Sequence, residues 1–361
     1  MLNLLIFLFI LSVLIVVHEF GHFIVAKLEG VRVEVFSLGF GTKILSRKRK
    51  DTEYCVGVVP LGGYVKLAGD NLEEYKGNPD EYFSKPPSQR AAIVFFGPLL
   101  NYFLGFVCFW TIFFAGYPNL TTRVGDVVEG MGAEAAGIQT GDIILSVNGQ
   151  KVKFWEEMQK IIRSSHPTEE VDIVILRNNA EYPYKIRLKE QEIDDPLLGE
   201  KKTIGLIGIK QSSEFIKVRH GFFESFTLAG KRTVELTVMT YKALWRMITG
   251  KLSLRESVTG PLGIFYITSE AASLGIIALL NLVAVLSISL CLFNLLPFPV
   301  LDGGHIFLIA VEKIRGKNIS VKTERLISRI GLSFIVTLAV VVTYNDFLRF
   351  FGDKIAKFFA K

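Results

Sequence analysis

His18-Glu19-Phe20-Gly21-His22 sets two imidazoles four residues apart with a carboxylate beside the first. On a helix, positions i and i+4 share a face, so both rings can reach one metal ion and Glu19 can stand next to a water there. The segment around them is apolar: Leu2 to Val17 holds no charged residue, and Phe23 to Ala26 continues the run. An ionisable residue at the centre of a membrane helix costs about 2.5–3.5 kcal/mol, so three polar groups in such a segment need a function or partners.

Two histidines supply two ligands, and a catalytic zinc usually takes three with one place left for water. The third is sought in Asn294-Leu295-Leu296-Pro297-Phe298-Pro299-Val300-Leu301-Asp302-Gly303-Gly304-His305. Pro297 and Pro299 end a helix, and Gly303-Gly304 is expected to let the chain turn back, aiming Asp302 at the metal. His305 is the competing ligand, ranked below Asp302 and expected in a supporting role. Asn294 could hydrogen-bond a substrate backbone.

The elements that position these groups are read as four membrane spans: residues 2–26, 91–115, 276–296 and 327–344, the last being the shortest. Of the 361 residues, 50% are hydrophobic and 12% aromatic, at a mean hydropathy of +0.38, too apolar for an average soluble protein. No basic residue precedes the first span and no Ala-x-Ala-like site follows it, so a cleaved signal peptide is not expected. Cys55, Cys108 and Cys291 form no CxxC pair and read as apolar packing residues. The net charge of +6 is scattered or lies next to spans, which argues against nucleic acid as a partner. The dense cluster Arg47-Lys48-Arg49-Lys50 suits anionic lipid headgroups or a solvated turn.

The loop from Lys27 to Arg90 is rich in Lys and Arg, which puts it in the cytoplasm and the N-terminus outside. Spans one and three then run the same way. His18 lies about 24 Å down its helix at 1.5 Å per residue, near the cytoplasmic boundary of a hydrocarbon core about 30 Å thick. Asp302 follows span three at that same boundary.

Together, HEFGH in the first span and NLLPFPVLDGG at the end of the third resemble the site-2 protease family of intramembrane zinc metalloproteases, in its bacterial RseP-like branch. Phe36 to Gly41 and Pro60 to Lys66 look like that family's membrane-associated β-hairpin, here residues 31–68. Gly97-Pro98-Leu99-Leu100-Asn101 is similar to the motif opening its second span. The resemblance implies Zn2+ held by His18, His22 and Asp302, Glu19 as general base, and Asn294 as a substrate-positioning residue. Gly39, Gly41 and Gly63 mark the hairpin edge expected to hold an unwound substrate. It also implies a bacterial inner-membrane protein acting near the cytoplasmic face. Its substrates would be single-span membrane proteins such as anti-sigma factors or signal-peptide remnants.

Residues 121–210 read as a β-rich domain similar to a single PDZ domain, placed outside. Val124–Val128, Ile143–Val147, Val171–Leu176 and Tyr184–Leu188 are its strand candidates, Asn148-Gly149 a hairpin turn, and Phe154–Ile162 a helix. Gln191–Lys202 reads as a polar loop. Residues 211–275 are expected to form interfacial amphipathic helices on the outer leaflet. The fold class is thus a polytopic α-helical membrane protein whose protease core is split between 1–116 and 276–361. The contrasting classes are a non-catalytic scaffold or peptide sensor working through the PDZ-like domain, and a metal transporter with a midplane site.

Overall fold

A computed structural model describes residues 1–195, 200–253, 258–317 and 319–359. Parts of the polar loop 191–202 and of the 211–275 and 276–361 regions therefore lie outside the described residues. The chain forms two compact units: 1–112 with 223–242 and 253–361, and 113–222 with 243–252.

The first unit starts with helix α1, Leu2–Leu28, free of proline and glycine until Gly21. It closes on Gly30 at φ +70°, with Val31 N–H donating to Ala26 O at 2.8 Å, the bond pattern of a Schellman stop. β1, Val33–Arg49, and β2, Thr52–Leu67, follow. Each strand doubles back on itself. Val35 to Leu38 pairs with Gly63–Lys66 on one side and with Glu53–Val56 on the other, while Leu45 to Arg49 pairs with the far side of Thr52–Val56. The hairpin is therefore a four-stranded sheet whose edges are Gly63–Leu67 and Lys43–Arg49; its two outer pairs run antiparallel, and its central pair, Val35–Leu38 beside Glu53–Val56, runs in the same direction. Gly39 and Gly41, at φ +90° and +86°, make the bend. A Cβ at Gly39 would sit 2.7 Å from Val59 O.

Helix α2 is Pro87–Ala115. Val25, Ala26, Val31, Val33, Leu67 and Ile93 bury one shared core, joining the end of α1, the sheet and α2. In the second unit β3 is Tyr117–Leu120, β4 Val124–Val127, α3 Gly132–Ala135, β5 Ile143–Val147, β6 Gln150–Lys151 and α4 Trp155–Ser164. β7, Glu170–Arg177, and β8, Ala180–Arg187, complete a sheet ordered β6-β5-β7-β8. Val171, Ile173 and Ile175 alternate into its core against Trp155, Met158 and Ile162. Asn148 and Gly149 both have positive φ, as an Asn-Gly hairpin turn requires. β9, Lys189–Asp195, pairs with β10, Glu200–Leu206, and β11, Ile209–Gln211, pairs with β4. β12, Phe215–Val218, pairs with β3, so the unit extends past 121–210 at both ends.

Helix α5, Phe222–Ile248, returns the chain to the first unit. It is one continuous helix packed along α2, through Phe226 on Phe106 and Tyr102 Oη–Thr237 Oγ1 at 3.1 Å. α6 is Pro261–Leu274 and α7 Ile276–Asn294. α8, Asp302–Arg315, and α9, Val321–Phe359, end the chain. Among the described residues four helices are long and apolar enough to cross a membrane: α1, α2, α7 and, within α9, Arg325–Phe351. The fourth outruns the expected 327–344. Its polar Asp346 does not stop it, because the carboxylate accepts the N–H groups of Gly260 and Gly263 at 3.2 and 2.8 Å.

Candidate metal centre

α1 brings His18 and His22 to one face and α8 opens on Asp302, 280 positions further along. His18 Nε2 lies 3.1 Å from Asp302 Oδ2, His22 Nε2 3.5 Å from Asp302 Oδ1, and the two Nε2 atoms are 3.2 Å apart. Among the described residues these are the only three His, Cys, Asp or Glu side chains grouped closely enough to share a metal ion.

The donor chemistry fits a divalent cation. His22 Nδ1 lies 2.9 Å from Ile93 O, and a carbonyl can only accept, so Nδ1 carries the proton and Nε2 presents a bare lone pair. That lone pair faces the Asp302 carboxylate and His18 Nε2, an arrangement in which three donor atoms can share one cation. Two donors about 2.1 Å from zinc at a tetrahedral angle stand about 3.4 Å apart, and the observed separations bracket that figure.

The local packing explains how the ring is held. A Cβ on Gly97 would sit 2.3 Å from His22 Cε1 and Nε2, and one on Gly21 would sit 2.1 Å from Phe96 O. α1 and α2 thus touch backbone to backbone where His22 is set, as small residues allow in membrane helices. Gly97 belongs to a motif picked out in the sequence, but its role depends on a contact between helices that are distant in sequence.

Asp302 is aimed differently from the sequence expectation. Gly303 and Gly304 are not a turn but the first turn of α8. A Cβ at Gly303 would meet Leu295 O at 2.3 Å, and one at Gly304 would meet Phe298 O at 2.2 Å, so these glycines permit close approach. The reversal is made by Val300 at φ +79°. Buried Arg90 pairs with buried Glu312 at 2.9 Å, and Glu312 also accepts Ile319 N–H at 2.9 Å. That pair ties α8 to the start of α2.

Glu19 lies with His22, Asp302, His305, Arg90 and Glu312 around one cavity of about 300 Å³. His305 lines the cavity without joining the three donors. Of the expected substrate-contact residues, Gly63 is beside the centre: a Cβ there would be 3.4 Å from Glu19 Cγ. Gly39 and Gly41 shape the sheet instead. Asn294 ends α7, half-buried, outside the cavity wall. Along the open edge, Val65 backbone hydrogen-bonds Glu19 and Leu67 N–H donates to Asp70 Oδ2 at 3.0 Å. By strand alternation the N–H of Gly63 faces the same way.

The model of peptidase family M50 matches residues 6–338. The chain belongs to that family, the site-2 proteases. A Clostridium acetobutylicum chain named for zinc metalloprotease activity is 35% identical over 95% of this chain and 97% of its own length. Zinc metalloprotease RasP of Shouchella clausii is 30% identical over 97% of this chain and 100% of its own. RasP of Oceanobacillus iheyensis is 28% identical, covering 96% and 98%. The PDZ domain of an SdrC-like protein of Listeria innocua, 27% identical with a TM-score of 0.21, aligns with 26% of this chain and 96% of its own. By family this chain is a metalloprotease, and four helices among the described residues long and apolar enough to span, with bacterial relatives of that kind, fit a multi-pass protein of the inner membrane.

Proposed function

We propose that the chain is an intramembrane zinc endopeptidase that cleaves the membrane segments of single-span proteins near the cytoplasmic face. The observation that carries the reading is the convergence of Asp302, from the start of α8, on His18 and His22, which with Glu19 lie in a helix apolar enough to span the bilayer. His18 Nε2, His22 Nε2 and an Asp302 oxygen would hold the ion. Zinc bound there supplies Lewis-acid polarisation of the scissile carbonyl. Glu19 takes the proton of the attacking water and delivers it to the leaving amide nitrogen.

A helical substrate hides its carbonyls in its own hydrogen bonds, and an unsatisfied backbone group in lipid costs several kcal/mol. The edge Gly63–Leu67 offers the exchange. Val65 and Leu67 are committed to Glu19 and Asp70, and Gly63 N–H, which faces the same way, is the donor offered to an unwound segment. Asn294 holds the segment from the other side. Anti-sigma factors and signal-peptide remnants are substrates of the required single-span type, and the PDZ-like unit meets their outside portion.

The test is incubation of the purified protein, in bilayers, with a model single-span substrate, with and without a zinc chelator. Glu19→Gln should keep its zinc and lose cleavage, because the amide cannot accept a proton and is not a ligand. Substantial turnover by that variant would remove Glu19 from the proton-transfer role.

A further inference from the structure

The sheet of β1 and β2 has a second edge with a different chemistry. Three strand spacings, about 14 Å in all, separate Gly63–Leu67 from Lys43–Arg49. On that outer side Ile44 and Leu45 are 61% and 68% exposed, and Val58 is 56% exposed. Beside them Arg47, Lys48, Arg49 and Lys50 are all exposed, and none of them joins an ion pair among the described residues. The nearest acid on the facing strand is already engaged: Glu53 accepts from Lys43 Nζ at 2.7 Å and from Ser46 Oγ. Asp51 offsets one of the four cations, leaving about three net charges at the tip. Lys50 itself stands at φ +53°, a conformation glycine adopts without strain. Apolar side chains and free cations sharing one exposed strand end are the signature of an interfacial element on an anionic surface.

We propose that this outer edge is a binding surface for anionic phospholipid. Ile44, Leu45 and Val58 enter the acyl boundary of the leaflet and Arg47 to Lys50 hold the negatively charged headgroups. Because the four strands are hydrogen-bonded into one sheet, the depth of the outer edge sets the depth of Gly63–Leu67 beside Glu19. Anionic lipid thus tunes presentation of the scissile segment, a consequence that rests on the proposed proteolytic reading, whereas the lipid contact does not.

The full-length protein carries an environment-sensitive fluorophore at Leu45→Cys, the three native cysteines being buried. It is placed in nanodiscs of phosphatidylcholine alone or mixed with phosphatidylglycerol, with brominated lipid as quencher. A near-surface cation favours anionic lipid by about fivefold. We expect deeper quenching by brominated phosphatidylglycerol, weakened by salt and lowered up to about fivefold by each Gln substitution at Arg47, Lys48, Arg49 or Lys50. Zinc content should be unchanged in those variants, and Arg47→Lys with Arg49→Lys should retain the response. Equal quenching in both discs, or lipid dependence that survives loss of all four cations, overturns the proposal. Turnover is read in the same discs. A protein that shows the lipid response but cleaves in no disc disproves the protease reading and leaves the lipid surface standing.

Discussion

Gly97→Ala is the sharpest probe of how the centre is held. The new Cβ would lie 2.3 Å from Cε1 and Nε2 of His22, whereas carbon atoms rest about 3.5 Å apart, so a displacement of about 1 Å is forced. Parting α1 from α2 would break the His22–Ile93 hydrogen bond and open the core around Val25, Ala26 and Ile93. Turning the ring is the cheaper escape. Ligand atoms tolerate only about 0.2 Å of error, and a misplacement of about 1 Å at a reacting centre costs about 10²-fold in rate, or about 2.7 kcal/mol. Gly105→Ala is the control. Its Cβ would meet Ile288 Cγ1 at 2.6 Å and Ala284 O at 2.9 Å, an overpacking on α7 that costs about 1–3 kcal/mol of stability without touching a donor. Zinc titration against a competing chelator, followed by cleavage of a single-span substrate, should separate the two: weakened zinc and about 10²-fold slower turnover for Gly97→Ala, near-normal values for Gly105→Ala. Full zinc affinity and full turnover in Gly97→Ala would refute the reasoning.

Asp302→Asn should lose bound zinc along with activity, read by metal analysis; normal zinc would pass the third place to another group, with His305 nearest at hand in the cavity. In intact cells a cysteine at exposed Ser46 should be shielded from a membrane-impermeant thiol reagent and one at exposed Ser164 should be labelled, the reverse pattern inverting the topology. In the second unit burial alone would raise the Asp142 acid, yet Arg177 bonds at 2.7 and 2.6 Å and Gln139 N–H at 2.8 Å outweigh it and hold it below its ordinary value. The resulting stabilisation is complete above about pH 4, the unfolded-chain value, and is lost as pH falls through the lower folded value. Arg177→Met should strip that acid-side slope from proteolytic unfolding of the unit and cost about 3 kcal/mol, because Asp142 is left buried without its cation.

What the sequence carried was whatever local spacing determines. His18 and His22 share a helix face at any tertiary arrangement, and Asn148-Gly149 makes its turn from its own φ preferences. The alternation of Val171, Ile173 and Ile175 likewise declares a strand with one buried face. What stayed hidden depends on partners far along the chain. The doubled sheet needs Val35–Leu38 to pair on both sides, a register that the run of glycines permits but does not specify. The Arg90–Glu312 pair joins residues 222 positions apart, and each alone reads as an ordinary charge near a helix end. The fourth span runs past residue 344 through Asp346, whose carboxylate is satisfied by the N–H groups of Gly260 and Gly263, more than eighty positions away.

Asp302 shows most clearly why the donors were legible and their placement was not. A carboxylate after a proline-broken helix end is a plausible ligand from composition alone. To reach two histidines on another helix, the chain must reverse within the seven residues 295–301 and start α8 hard against the loop it has just left. Gly303 and Gly304 remove the side chains that would strike Leu295 O and Phe298 O. Val300 pays for the reversal with a left-handed backbone at φ +79°, where a β-branched residue costs about 1–3 kcal/mol. Glu312, held by Arg90 some three turns further on, fixes the far end of α8 so that the strain is not released by rotating the helix. The carboxylate is therefore set by a strained loop at one end and a buried ion pair at the other. Val300→Gly, which relieves the strain but leaves both anchors, should keep zinc binding, whereas Glu312→Ala, which frees the helix, should weaken it.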